Sequence, residues 1–356
     1  MRNRNYRICL IGLLGVVLIF GSGFGMAWAE KEVRLLSWGG TIRQTFEVEG
    51  FAKKFQEQTG YKMKLISKAT SALIISTAIA QKDNPQIDVV MCDVGAWTRG
   101  MDQGIFSKLD RAKIPNLNDM YSVALIKDMG VSPYGQIMCF LYNPEIFSKN
   151  GWAKPQKWAD IFRPEFSGLI SIPPVDNTYG LVTLVILARL GGGSEFNIEP
   201  GFVAEKKLAP GVTTWETTYS RLGQLMQAEE VAISIFSSGS AFTLKKKGFP
   251  VDYVIPEDTM IVPVGVGMMK GARNPEGAKA LINYLLSPEF LAFRAKNFNN
   301  VYLNRKTVLD SETAQRMKID DEKFAQMKAL DWSQTNANRA EWVERWEKEV
   351  STIKAK

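Results

Sequence analysis

Between residues 32 and 92 the apolar positions alternate between short continuous runs and helical spacing, with a polar turn at each change. VRLLS at 33–37 reads as a buried strand. Residues 41–58 place Ile42, Phe46, Ala52 and Phe55 near one face, which predicts a helix stopped by Thr59-Gly60. A second strand is expected at 62–67, a helix at 71–81 capped by Ser71, and a third strand at 88–92 after the Asn84-Pro85 break. Such alternation over short connections predicts a parallel sheet covered by helices. Its carboxyl-end loops are then 37–41, 68–71 and 93–97, the edge where open parallel sheets hold ligands.

A second block begins after Pro133-Tyr134-Gly135. Strands are expected at 137–143, 169–172 and 231–235, and helices at 158–162, 179–190, 214–228 and 240–247. The apolar run 262–269 is the candidate strand by which the chain returns to the first block. Helices at 275–286 and 288–296 carry Pro in the first turn. From residue 320 the pattern is polar and helical, with Trp332, Trp342 and Trp346 available to dock it.

The amino terminus changes the compartment. Arg2, Arg4 and Arg7 precede an apolar run at 8–20, and Ala27-Trp28-Ala29 has the small-x-small pattern of a cleavage site. An export signal cleaved near Ala29 is expected rather than an anchor, because the run is shorter than the ~20 residues of a membrane span and Gly21, Gly23 and Gly25 interrupt its end. The product is periplasmic, and its length of about 327 residues suits two lobes. With 44 Lys and Arg against 37 Asp and Glu the net charge is +7, and loss of the three signal arginines lowers it to +4. That is no nucleic-acid footprint, and Lys245, Lys246 and Lys247 read as a solvated helix end. Cys92 and Cys139 each end an apolar run, where a free thiol packs as a small hydrophobe, although an oxidising compartment would let them pair.

Histidine is absent from the whole chain, which removes Ser-His-Asp and Cys-His hydrolysis and His-containing zinc sites. Neither HExxH nor GxxxxGK[ST] occurs, so the expectation is a binding protein without cofactor or metal, not an enzyme.

Six segments together resemble the extracellular solute-binding proteins of bacterial ABC importers, in the branch with spermidine/putrescine, thiamine and ferric-ion binding members. They are SWGGT at 37–41, FAKKFQEQTGYKMKL at 51–65, NPQIDVVMCD at 84–93, KWADIFRPEFSG at 157–168, ISIFSSGSAF at 233–242 and GVGMMKGARNPEGAKALINYLLSPEF at 265–290. The resemblance implies a two-lobed α/β fold of the type II periplasmic class, each lobe a mostly parallel sheet covered by helices, with two interlobe crossings and a solute closed in the cleft. On this chain it implies a first lobe of 30–134 with 266–320, a second of 135–265 and a C-terminal helical segment at 321–356. The crossings then fall near Tyr134-Gly135 and Val264-Gly265, with glycines suited to hinges. It further implies a monomer that meets a membrane-embedded permease.

A solute pocket must grip from both lobes. In the first, Trp38, Gly39, Gly40 and Thr41 join strand to helix, offering amides, close approach and an aromatic face. Thr70 and Ser71 start the next helix, and Asp93 ends the third strand, each with a capping role as the alternative. In the second lobe Asp176, Asn177, Thr178, Tyr179 and Gly180 bring a carboxylate, a hydroxyl, a ring and helix-start amides together. Phe236, Ser237 and Ser238 do the same at the next helix, and Asn299, Asn300 and Tyr302 form a further polar patch.

The polyamine branch brackets ammonium groups with acids and aromatics. Asp176 and Trp38 fit that pattern, but Phe236 replaces its second-lobe Trp, and Val262-Pro263-Val264 replaces its Trp-x-Asp. A buried dication needs paired charge, so these departures favour a small polar organic solute, such as one bearing a carboxylate or phosphate, over a polyamine. No adjacent tyrosine pair is present for ferric iron. A ligand-sensing subunit for a membrane receptor remains the alternative of another class.

Overall fold

The computed structural model describes residues 31–216, 218–317 and 330–353, so the expected export signal lies outside the described residues. β1 (Glu32–Trp38) is the centre of the first sheet, parallel to β2 (Lys62–Lys68) on one side and β3 (Val89–Asp93) on the other. Both faces are covered at the centre of the sheet, which is why β1 and β3 carry apolar runs, whereas the edge strand β2 alternates, with Met63 buried between exposed Lys62 and Lys64. Val33, Leu35, Val89 and Met91 enter one core, while Leu36, Val90 and Cys92 enter the core on the other face.

The helix expected at 41–58 is broken. A short α1 (Gly40–Arg43) widens into a π turn (Gln44–Val48), and Gly50 at φ +77° restarts the chain as α2 (Phe51–Thr59). Glycine takes this left-handed conformation without the strain of a side chain. The break lets Phe46 and Phe51 both reach Phe290, at ring distances of 5.7 and 5.6 Å. α3 (Ser71–Ala80) is capped by Thr70, one residue before the expected cap, whose hydroxyl accepts from the Leu73 amide at 3.2 Å. β3 runs directly into α4 (Val94–Asp102) where a loop is expected. α4 lays Trp97 flat on Phe106, 4.2 Å between centroids.

Two short strands, β4 (Leu125–Ile126) and β5 (Gly130–Val131), lead to β6 (Tyr134–Tyr142), the first crossing. The second half then runs α5 (Pro144–Lys149), β7 (Ile170–Ser171), α6 (Thr178–Leu190), α7 (Glu199–Leu208), β8 (Val212–Thr214), α8 (Tyr219–Gln227), β9 (Ile233–Ser237), α9 (Ser238–Lys246) and β10 (Asp252–Val254). The return crossing is β11 (Ile261–Met268). Its Ile261, Val262 and Pro263 pair with β6, and Val264 to Met268 pair antiparallel with β3. Met138 to Tyr142 of β6 pair with β9, giving the order β2-β1-β3-β11-β6-β9-β7-β8. Gly265 therefore sits in a paired strand, and its missing side chain serves packing: a Cβ there would lie 2.5 Å from Trp97 Cγ.

α7 has no counterpart among the expected elements, and the helix expected at 214–228 divides into the end of β8 and α8. α6 is apolar on all sides because Leu181 to Ala188 are all buried. Phe140 and Cys139, adjacent on β6, enter opposite cores of the second half. Cys92 belongs to the first half, so the two thiols lie in separate cores; both are free, and burial pushes both up.

α10 (Pro275–Leu285) and α11 (Pro288–Phe298) pack back on the first half, followed by β12 (Val301–Tyr302) and α12 (Ser311–Met317). α13 (Trp332–Glu349) buries Trp332, Trp342 and Trp346 in the core of the second half. It also reaches the first: the Asn336 side chain donates to the Gly95 carbonyl of α4 at 2.8 Å.

Candidate functional site

A cavity of about 640 Å³ lies where the strand ends of both halves face each other. From the first half Trp38, Gly39, Gly40, Thr41 and Asp93 line it. Trp38 is half-buried and packed against both cores of the first sheet, which fixes its ring as a wall. α1 is only one turn long, so the expected helix-start site at Gly39-Gly40 reduces to a tight turn. Asp93 makes no cap bond to α4. Its Oδ2 instead accepts the Ser71 hydroxyl at 2.7 Å and the Thr178 hydroxyl at 3.4 Å. Burial raises its pKa, and those two hydroxyls and Arg339 oppose the rise.

From the second half Tyr179, Phe236 and Ser237 line the cavity. The Asn177 side chain caps α6 by accepting from the Tyr179 amide at 2.8 Å, and Ser237 caps α9 by accepting from Ser240 at 3.2 Å. Tyr179 and Phe236 rest against each other at 4.6 Å. Burial raises the Tyr179 hydroxyl, so it stays protonated and able to donate.

Five expected site residues are not part of this lining. Thr70 caps α3, Ser71 and Thr178 hold Asp93, and Ser238 is buried with its hydroxyl unpartnered. Asp176 is exposed, and its backbone carbonyl accepts from Arg339 of α13. Of the further polar patch, Asn300 lines the cavity, while Asn299 joins Tyr253 and Arg316.

Lys68, from the expected loop at 68–71, also lines the cavity, together with residues that the strand-end patterns do not reveal: Gln136, Tyr219 and, above all, Arg294. Arg294 is only 2% exposed, stacked on Phe298 at 4.3 Å and Tyr134 at 5.0 Å. Its Nε donates to Asn300 at 2.8 Å, and Nη1 donates to the Thr45 hydroxyl at 2.9 Å and the Thr41 carbonyl at 3.1 Å. A signal existed in FLAFRAKNF, where Arg294 stands four residues before Phe298, on one helix face with it.

A second cavity, about 1290 Å³, opens beside α12 and the end of α9. Much of its charge is already satisfied: Lys245 pairs with Asp252 at 3.2 Å, and Arg316 donates to the carbonyls of Ala295 and Lys296. The smaller cavity is the one onto which the capped starts of α6 and α9 open. Among the described residues no group of His, Cys, Asp and Glu could hold a metal ion, and no helix is long and apolar enough to cross a membrane.

Two α/β halves joined by crossing strands, with a polar cavity at the junction, define a two-lobed solute receptor. The chain belongs to the family of bacterial extracellular solute-binding proteins, which matches residues 50–324. The spermidine/putrescine-binding periplasmic protein of Escherichia coli K12 is 25% identical over 246 residues, covering 67% of this chain and 70% of that protein. A crystal structure of an ABC transporter from Clostridium perfringens matches with a TM-score of 0.76 at 23% identity, over 90% of this chain and 100% of the other. The periplasmic binding protein AfuA of Actinobacillus pleuropneumoniae matches with a TM-score of 0.71 at 20% identity, over 90% and 99% of the two chains.

Proposed function

We propose that the protein is a periplasmic receptor that closes on a small polar organic solute and delivers it to the membrane permease of an ABC importer. The observation that carries this reading is the 640 Å³ cavity lined from both halves by strand-end loops. Its volume falls within the range of about 300–1000 Å³ usual for small-molecule sites. The lobes in this reading are 30–134 with 266–320, and 135–265, joined through β6 and β11, with α13 docked mainly on the second. Trp38, Gly39, Gly40, Thr41 and Asp93 form one jaw, and Tyr179, Phe236 and Ser237 the other. Export through the amino-terminal signal places capture outside the inner membrane.

The E. coli relative is named for spermidine and putrescine, and aromatic walls beside Asp93 give a polyamine reading some support. Against it, Asp93 is the one carboxylate among the described lining residues, beside the two cations Lys68 and Arg294.

Mass spectrometry of solute retained by the purified mature protein, with a thermal-shift screen, tests the receptor reading. One solute class should raise the melting temperature, by an amount equivalent to about 2.7 kcal/mol at a hundredfold excess over Kd. Turnover of a retained solute by the pure protein would sink this reading in favour of an enzyme.

A further inference from the structure

We propose that Arg294 is the charge anchor of the cavity, and that the solute places a carboxylate or a phosphate-type anion against it. This deepens the receptor reading and rests on it. All five hydrogen bonds from the guanidinium go to neutral oxygens: Asn300, Thr45, the Thr41 carbonyl, the Thr41 hydroxyl at 3.3 Å and the Tyr134 hydroxyl at 3.5 Å. Among the described residues no carboxylate forms an ion pair with it. A buried cation without a counter-charge costs several kcal/mol, and since no described residue supplies that charge, the bound solute is its proposed source.

The least committed edge faces the right way. Nη2 makes the two longest bonds, to Thr41 and Tyr134, and both of those residues line the cavity. A planar guanidinium offers paired donors that match carboxylate and phosphate oxygens, and its stacking between Tyr134 and Phe298 keeps the plane fixed. The capped starts of α6, thirteen residues long, and α9, nine residues long, open onto the same cavity, and their dipoles favour negative charge. The Gln136 carboxamide oxygen, buried there without a partner, suits a hydroxyl or amine elsewhere on the solute. A polycation would meet Arg294 and Lys68 with only Asp93 to offset them, and that carboxylate already accepts two hydroxyls.

The experiment is calorimetry and thermal shift on the mature protein with 2-aminoethylphosphonate, glucose 6-phosphate and citrate set against putrescine, spermidine and thiamine. An anionic probe should bind, and R294M should weaken it by about 30-fold or more. Because Arg294 also braces Thr41 and Asn300, R294M can lose its fold; R294K keeps the charge without the fork and should weaken the same probe about tenfold. Binding of the polyamines or thiamine alone, or unchanged anion affinity in R294K, overturns the anchor while leaving the receptor intact. If no probe binds and mass spectrometry finds no retained solute, the receptor reading falls with it.

Discussion

The Thr178 hydroxyl donates to the Asp93 carboxylate at 3.4 Å, joining the first residue of α6 to the last residue of β3 across 85 positions of sequence. The same carboxylate oxygen accepts the Ser71 hydroxyl at 2.7 Å, so one atom collects donors from both halves of the molecule. In the proposed receptor, opening of the two halves would break this contact, which makes it a test of closure.

T178V removes this bond with little change of volume. The bond is long, so its loss should weaken binding of the retained solute about three- to tenfold, the range of an ordinary hydrogen bond and less than bonds to charged groups usually contribute. Solution scattering should find the ligand-free T178V protein more extended than the wild type. Unchanged affinity together with an unchanged radius of gyration would mean that the contact plays no part in closure.

What was legible in the chain follows from where each signal is stored. β1 and β3 announce themselves because burial on both faces forces apolar runs, and Trp38 to Thr41 follow from their place between β1 and the next helix. Asp93 is legible for the same reason, but its partner Thr178 is not, since nothing local ties β3 to α6. Arg294 is hidden more deeply: a single cation on an amphipathic helix reads as solvated, and its burial depends on Thr41, Tyr134 and Asn300 from other segments. Asp176 fails in the opposite sense. Its carboxylate looks available to a ligand, yet the structure leaves it exposed and uses the residue's carbonyl to receive Arg339 from a helix more than 160 positions away.

Gly180 controls the second jaw through backbone contact. A Cβ at this position would stand 2.0 Å from the Pro174 carbonyl oxygen and 2.3 Å from that of Pro173. Neither is a flexible side chain, so G180A must displace the start of α6 or the turn before it, carrying Asn177 and Tyr179 out of line. A loss of about 1–3 kcal/mol is expected, roughly 1–5 °C in melting temperature for a chain of this length, together with a clear loss of solute affinity. Melting within 1 °C of wild type and intact binding would show that the turn relaxes freely.

Docking of α13 can be tested at Trp346, which is 6% exposed and meets Trp215 edge-on at 4.9 Å. W346A should cost about 3–5 kcal/mol by the usual scale for deleting a buried Trp. The ion pairs Lys206–Glu349 and Arg345–Glu199, at 3.0 and 2.9 Å, are partly exposed and should recover little of that. Denaturant unfolding measures the difference, and a cost below about 1 kcal/mol would mean that α13 is held by something other than its tryptophan face.

Glu205 gives that same interface a pH dependence. It lies on α7, 2% exposed, with Oε2 unpartnered and Trp346 beside it. Burial pushes its carboxyl from 4.5 up to about 8, Trp346 opposing the rise. With the folded pKa above the unfolded one, the folded protein holds the proton more tightly. Stability is therefore greatest below pH 4.5 as far as this group is concerned, and falls as pH rises towards about 8, by at most about 1.4 kcal/mol per pH unit. Glu349, held at about 2 by Arg345 and Lys206, has the opposite sign, and its contribution is lost only as pH falls through its folded value, so it stays constant between pH 6 and 8. E205Q removes the titrating group in place. Between pH 6 and pH 8 the wild-type melting temperature should fall by roughly 4 °C more than that of E205Q, and at pH 8 the variant should be the more stable of the two. Parallel melting curves for the two proteins across that range would mean that Glu205 is already ionised in the fold.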